Sequence, residues 1–299
     1  MEKQDRSGYR VKVLDIELTN RCNAQCVICP RGELERPIGD MSRETWSTLL
    51  SRIKTEHLEG IIFSGFGEPL LHPLLPQYLN QLREVYKGII QVNTNGARLT
   101  KELGRDMIRA EVNILNVSYN GLNKDEYEST MRGMKWDRLV NNIQEMINVR
   151  GEGRRPVLSL QSSMPGIRTQ RKKIMDVASV LGMETVLLYG FNNRAGYLED
   201  GGEDETTDVI PLVDRFCYPL FFVAWDGTIY PCSHDIKGTQ PLGNIEDRSL
   251  DEVKKADYPI CMRCTICDRK GMKQYKVWKN IFRYKWKNIF HYKLKSIGG

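Results

Sequence analysis

Between residue 11 and about residue 190, short apolar runs alternate with longer stretches of mixed polarity. Six runs have the length and residue types of strands: VLDIEL (13–18), GIIFSG (60–65), IIQVNT (89–94), NILNVS (113–118), VLSLQ (157–161) and TVLLYG (185–190). Between them, apolar positions recur at helical spacing behind start signals. Ser42 precedes RETWSTLLSRIK, Pro73 stands at a first turn, Thr100 precedes KELGRDMIRA, and Thr169 opens the run to Leu181. Strand and helix alternating six times predict an α/β fold with a parallel sheet and right-handed crossovers. The predicted architecture is a partial (β/α)6 TIM-like barrel, open on one side. Such barrels carry their chemistry on the loops at the C-terminal ends of the strands.

The pattern breaks at LEDGGEDETTDVI (198–210), which is acidic and poor in apolar residues. The chain therefore divides into a barrel over 11–197, an acidic linker over 198–213, a small cysteine-rich domain over 214–269 and a tail over 270–299. The tail contains nine Lys or Arg and no Asp or Glu, which leaves the other 269 residues at a net −3 out of a total of +6. It also repeats itself, WKNIFRYK and then WKNIFHYK. On a helical wheel Trp278, Ile281, Phe282, Trp286 and Ile289 share one broad face. A basic amphipathic segment of this kind predicts contact with an anionic membrane surface, with a helix packed on the body as the alternative. The acidic body argues against nucleic acid as a partner.

The first ten residues, MEKQDRSGYR, are polar and resemble no targeting signal, and no run of 18 apolar residues follows. The expected location is cytoplasmic, peripheral at the membrane if the tail binds there. Eight cysteines in a reducing compartment point to metal or catalysis ahead of disulfides.

Three of them, Cys22, Cys26 and Cys29, lie in RCNAQCVICP directly after the first strand. Three thiolates on one loop suit a [4Fe-4S] cluster that keeps one iron free of protein ligands, whereas structural zinc takes four. Zinc, or three small buried cysteines, is the alternative. The second strand runs into SGFGEPLLHP, with Gly65, Gly67, Glu68 and Pro69. The third ends in NTNG, with Thr94 and Asn95, and the fourth in VSYNG, with Ser118. Glycines let backbone approach a ligand, and a carboxylate can accept from an ammonium group. Gln161 on strand five, and Tyr189, Asn193 and Arg194 after strand six, are weaker candidates, equally compatible with barrel core or surface.

The CNAQCVIC segment resembles the signature of the radical S-adenosylmethionine enzymes, and the resemblance extends over residues 11–196. It implies that the open iron chelates S-adenosylmethionine and that one electron cleaves the cofactor to a 5′-deoxyadenosyl radical. A reducing partner such as flavodoxin or ferredoxin is implied with it. Gly65, Gly67, Glu68 and Pro69 are similar to the family's glycine-glycine-glutamate-proline motif. Thr94, Asn95, Ser118 and Gln161 resemble positions that face the cofactor. The sequence departs from the family at Ile28, where an aromatic residue often stands.

Cys217-x9-Gly227-x4-Cys232, followed by Cys261-x2-Cys264-x2-Cys267, resembles the SPASM and twitch extensions of such enzymes and implies a second, auxiliary [4Fe-4S] cluster. Asp226-Gly227 predicts a hairpin turn that brings Cys232 back beside Cys217. His234 reads as a surface histidine. Five cysteines exceed a fully ligated cluster by one. Cys264 belongs to either possible C-x2-C pair, so the spare is Cys261 or Cys267. A free thiol there could donate a hydrogen atom to a substrate radical. Four cysteines also fit zinc.

The function these readings imply is hydrogen abstraction from a small polar substrate, sugar-derived or aminocyclitol-like, ending in dehydrogenation or epimerisation. The small-substrate reading rests on the absence of a domain before residue 11 that would hold a leader peptide. The alternatives are epimerisation or crosslinking of a ribosomal peptide, and a non-catalytic iron-sulfur or zinc scaffold.

Overall fold

The computed structural model describes residues 13–167, 169–188, 197–198, 220–231 and 233–253. The tail, most of the linker, Tyr189, Asn193, Arg194 and Cys217, Cys232, Cys261, Cys264 and Cys267 lie outside the described residues.

All six strand-like runs form strands. They are β1 (Val13–Ile16), β3 (Gly60–Phe63), β4 (Ile89–Thr94), β5 (Ile114–Ser118), β7 (Val157–Ser162) and β8 (Thr185–Leu188). They pair in parallel in the order β1-β3-β4-β5-β7-β8, the sequential order a barrel requires. The connections carry α1 (Arg43–Thr55), α2 (Leu75–Val85), α3 (Lys101–Arg109), α4 (Lys124–Thr130), α5 (Trp136–Arg150) and α6 (Arg171–Val180).

Along each strand alternate residues point to opposite faces. Leu14, Ile16, Phe63, Val92, Val117 and Leu160 are buried with the apolar stripes of the helices, such as Leu49 and Ile53 of α1 and Ile143 and Met146 of α5. Trp46 of α1 stacks on Tyr78 of α2 at 4.5 Å. The opposite strand faces are left for the barrel interior.

Ser42 caps α1 by accepting from the Thr45 amide, and Thr100 caps α3 by accepting from that of Leu103. Two predicted starts are corrected. The proline in the first turn of α2 is Pro76, not Pro73, because the residues from Pro69 first form a short 3-10 turn. Thr169 bonds back to the Gly166 carbonyl at 2.8 Å, and α6 starts after Gln170 without a side-chain cap.

The described part of the C-terminal extension continues the same sheet. β9 (Leu220–Val223) pairs in parallel with the free edge of β1, and β10 (Thr228–Tyr230) and β11 (Gly243–Asn244) follow antiparallel. The turn from β9 to β10 is the predicted hairpin, with Gly227 at a φ of +82°, where a Cβ would be strained. α7 (Leu250–Val253) closes the described chain. The extension is fastened to the barrel by Trp225 Nε1 on the Pro37 carbonyl, by Lys237 on Glu35 and by Arg52 of α1 on the Ile245 carbonyl. No helix among the described residues is long and apolar enough to cross a membrane.

Candidate functional site

The three-cysteine loop leaves the C-terminal end of β1, the position the barrel rule predicts. It is pinned along its length. β2 (Gln25–Cys26) pairs antiparallel with β6 (Met131–Arg132), which follows α4, and the Val27 amide donates to the Thr130 carbonyl at 2.9 Å. Cys22, Cys26 and Cys29 are all free thiols and half-buried. The Ala24 amide points at Cys22 Sγ at 3.4 Å, and the Cys29 amide at the Cys26 carbonyl at 3.1 Å.

Burial pushes two of these thiols upward: Cys22 is raised, and Cys26 is raised to about 12 by burial and then by the neighbouring Cys29 and Cys22. Three thiolates on one half-buried loop require a compensating cation. Among the described residues, however, no three His, Cys, Asp or Glu side chains converge on one point as the ligands of a single ion do. Three half-buried free thiols on one loop are a donor set that fits a [4Fe-4S] group bound through three cysteines.

The glycine-rich loop holds the cysteine loop from the side. The Glu68 amide donates to the Arg21 carbonyl at 2.8 Å. A Cβ on Gly67 would stand 2.1 Å from the Thr19 carbonyl oxygen, so what approaches this glycine is the backbone leading into Cys22. Gly65 is similar: its φ is +113°, and a Cβ would press on the side chain of Glu17. Glu68 is buried. Its carboxylate accepts from Thr94 Oγ1 at 2.6 Å and from the amides of Asn95 at 2.7 Å and Leu70 at 3.1 Å. Of about four acceptor positions on a carboxylate, one is left for a ligand. Burial pushes this carboxyl up to about 7. Pro69 opens the 3-10 turn behind it.

Asn95 reaches across to Asn23 in the cysteine loop at 2.8 Å, and its carbonyl oxygen receives the Ala97 amide. Ser118 is half-exposed at the end of β5. Gln161 is engaged by Asn116, whose amide donates to its carbonyl. Thus Gly67, Glu68 and Asn95 come together around the cysteine loop as its supports, while Gln161 stands on β7 in register with Ser118. His234 is half-buried, where the sequence predicts a surface residue.

Sequence reasoning misses a buried ion pair beneath this layer. Glu17, fully buried, receives both ends of the Arg36 guanidinium at 2.8 and 3.1 Å and the Phe66 amide at 2.9 Å. Burial pushes the Glu17 carboxyl up, and Arg36 opposes that push. The guanidinium lies among the rings of Phe66, Phe222 and Tyr230, 5.6 to 5.9 Å from their centroids, and its Nε faces the Ile236 carbonyl. One side chain thereby joins β1, the glycine-rich loop and the C-terminal extension. Asp15, two residues before Glu17 on the same strand face, is also buried and is missed. Charged residues at alternate positions of the otherwise apolar VLDIEL were the available signal.

The model for the radical SAM superfamily matches residues 16–176, and that for an iron-sulfur cluster-binding domain, SPASM, matches residues 217–274. The chain is 22% identical, over 90% of its length and 92% of the relative's, to a tungsten-containing aldehyde ferredoxin oxidoreductase cofactor-modifying protein of Pyrococcus furiosus. It is 27% identical to a probable GTP 3′,8-cyclase of Methanothermobacter thermautotrophicus, over 50% of this chain and 48% of that one. Among solved structures, it is similar to BtrN in complex with AdoMet and 2-DOIA, with a TM-score of 0.55 and 17% identity over 86% of this chain and 85% of the other. It is also similar to Streptococcus suis SuiB bound to the precursor peptide SuiA, with a TM-score of 0.66 and 13% identity over 88% and 72%. At these identities the structures share the fold.

Proposed function

The chain belongs to the radical SAM superfamily, and from that premise we propose that it removes a hydrogen atom from carbon of a small polar substrate, sugar-derived or aminocyclitol-like, to dehydrogenate or epimerise it. Membership brings a catalytic [4Fe-4S] cluster and S-adenosylmethionine, and the SPASM segment an auxiliary iron-sulfur cluster. When bound, the catalytic cluster and S-adenosylmethionine supply a 5′-deoxyadenosyl radical once an external reductant, proposed to be a flavodoxin or ferredoxin, delivers an electron.

Cys22, Cys26 and Cys29 are the proposed ligands of the catalytic cluster. The observation that carries this reading is their loop, anchored at Arg21 by Glu68, at Asn23 by Asn95 and at Val27 by Thr130. Anchoring on three sides fixes the thiols before any group binds, so little conformational entropy remains to be lost on loading. The remaining acceptor position of Glu68 and the half-exposed Ser118 are proposed to meet the cofactor's ammonium and ribose groups. Gly65, Gly67, Pro69, Thr94 and Asn95 act by holding backbone in place. Gln161 is proposed to face the substrate. Cys217, Cys232, Cys264 and one of Cys261 and Cys267 are the proposed auxiliary ligands, and the remaining cysteine the hydrogen donor.

A second reading has its own support. The 22% identity spans nearly the whole of the cofactor-modifying protein of P. furiosus, which favours as substrate a cofactor that belongs to another protein. The test is anaerobic incubation of the reconstituted enzyme with reductant, S-adenosylmethionine and a panel of free amino sugars and cyclitols. The proposal predicts 5′-deoxyadenosine above the substrate-free level, with a product that lacks two hydrogens or, in heavy water, carries solvent deuterium on carbon. Stimulation by a protein or peptide and by none of the small molecules would replace it with the second reading.

A further inference from the structure

The cysteine loop is closed at its neck by one side chain. Arg31, which follows Cys29 by two residues, donates from Nη2 to the carbonyl of Asn20, two residues before Cys22, at 2.8 Å. Asn20 is itself held fast. It is fully buried, its Nδ2 donates to the Pro37 carbonyl at 2.7 Å, and its Oδ1 receives the Gly39 amide at 2.9 Å. The guanidinium is thereby fixed against an anchored point of the chain, with all three cysteines between its own residue and the one it grips. Its Nε is buried and has no hydrogen-bond partner.

Charge gives a reason for an arginine at this point. Three cysteine thiolates bring negative charge to a half-buried loop, and Arg21, Arg36 and Arg132 nearby are spent or exposed. Arg21 is exposed and pairs with Asp40 at 3.2 Å. Arg36 gives both ends of its guanidinium to Glu17. Arg132, opposite Gln25 on β6, is exposed, where water and salt screen its charge. Arg31 pairs with no carboxylate among the described residues, and Glu33 and Glu35 beyond it are taken by Lys237 at 3.3 and 2.7 Å. Its charge is also felt inside the loop. The Cys22 thiol is raised first by burial; the Ala24 amide opposes that rise, Glu68 adds to it, and Arg31 is the cation that opposes it. A guanidinium keeps its charge at any working pH, and in a partly dry setting that charge acts over several ångströms without contact.

We infer that Arg31 is a positioning residue for the catalytic cluster: it clasps the two ends of the cysteine loop, and its guanidinium offsets the negative charge gathered there, raising the potential at which an electron is taken up. The inference rests on the proposed function, in that Cys22, Cys26 and Cys29 are the ligands. In the step concerned, one electron passes from the external reductant to the cluster, whose net charge becomes more negative by one, and no bond forms or breaks. A fixed positive charge favours the more negative state, and charge is one of the levers that set a cluster's potential.

The test is a redox titration followed by electron paramagnetic resonance, without S-adenosylmethionine, on three reconstituted full-length chains: unaltered, Arg31→Lys and Arg31→Gln. The catalytic cluster is the signal that disappears when Cys22, Cys26 and Cys29 are replaced by Ala. Arg31→Gln, which loses the charge, should have a midpoint potential more negative than the unaltered chain, and Arg31→Lys, which keeps it, should stay near the unaltered value. Should Arg31→Gln fail to load iron, the comparison passes to loading itself: both variants lose the planar fork, so Arg31→Lys must load like the unaltered chain and keep its potential. A residue that only holds the loop in shape would lower iron content without moving the potential of the loaded fraction. Equal potentials in all three chains, the same shift in both variants, or loss of iron from both would overturn the inference. If the unaltered chain shows no signal that the triple replacement removes, the proposed function fails and this role with it. A signal that is present but unmoved by Arg31→Gln counts against this role alone.

Discussion

Arg36→Met isolates the Glu17–Arg36 pair. Methionine keeps most of the volume among Phe66, Phe222 and Tyr230 but removes both hydrogen bonds to a carboxylate that has no exposure to water. Breaking a buried pair by removing one partner costs about 3–5 kcal/mol, because the other charge is stranded. At roughly 2–4 °C per kcal/mol for a chain of this size, the melting temperature should fall by on the order of 10 °C. The loss must depend on pH. Without Arg36, burial is opposed chiefly by the Phe66 amide and raises the Glu17 carboxyl further. A carboxyl raised in the folded state contributes its stability below its unfolded value and loses it as pH rises through the folded one. The variant should therefore lie closer to wild type at pH 5 than at pH 8, and adding Glu17→Gln should recover part of the deficit at pH 8. Thermal unfolding of the full chain at the two pH values measures this. A loss under about 1 kcal/mol, or one equal at both pH values, would refute the assignment of a structural role to the pair.

Three further outcomes follow from the same geometry. Gly67→Ala places a methyl 2.1 Å from the Thr19 carbonyl oxygen and 2.7 Å from that of Arg21, so the loop entering Cys22 must move; iron content after reconstitution should drop, with about 3 kcal/mol of stability lost, and unchanged iron would contradict the packing. Asp15 is pushed by burial from 3.8 to about 7, so wild-type stability declines between those values by about 4 kcal/mol; Asp15→Asn should gain on wild type in urea unfolding at pH 8 but not at pH 4, and a pH-independent difference would contradict that burial. Of Cys261→Ala and Cys267→Ala, one should lose the auxiliary cluster's iron while the other keeps it and shifts the product from inverted to oxidised; full turnover of the iron-retaining variant with unaltered product would remove the hydrogen-donor role.

The sequence reveals the barrel because each strand is a local signal, a short β-rich run bounded by turns, and parallel order follows from strand and helix alternating. It does not reveal that β9 extends the edge of β1, since that pairing joins residues some 200 apart and depends on which edge is free. The cysteine loop is legible from its spacing alone. The neighbouring motifs are legible as motifs, but not that Glu68 and Asn95 spend most of their hydrogen bonds on protein, a division that only the partners' positions disclose. Arg36 carries no local signal for Glu17, because a separation of 19 positions follows no strand or helix period. Asn116 looks like any polar residue in a strand until its unpaired oxygen is seen in the barrel interior.

The central claim is that Cys22, Cys26 and Cys29 hold a cluster that cleaves S-adenosylmethionine. Its most direct measurement is 5′-deoxyadenosine formed by the reconstituted enzyme under dithionite, with and without replacement of the three cysteines by Ala. The account predicts formation by the unaltered chain and none by the variant, which should also bind about four fewer irons. Equal 5′-deoxyadenosine from both, or none from a fully iron-loaded unaltered chain, would contradict it.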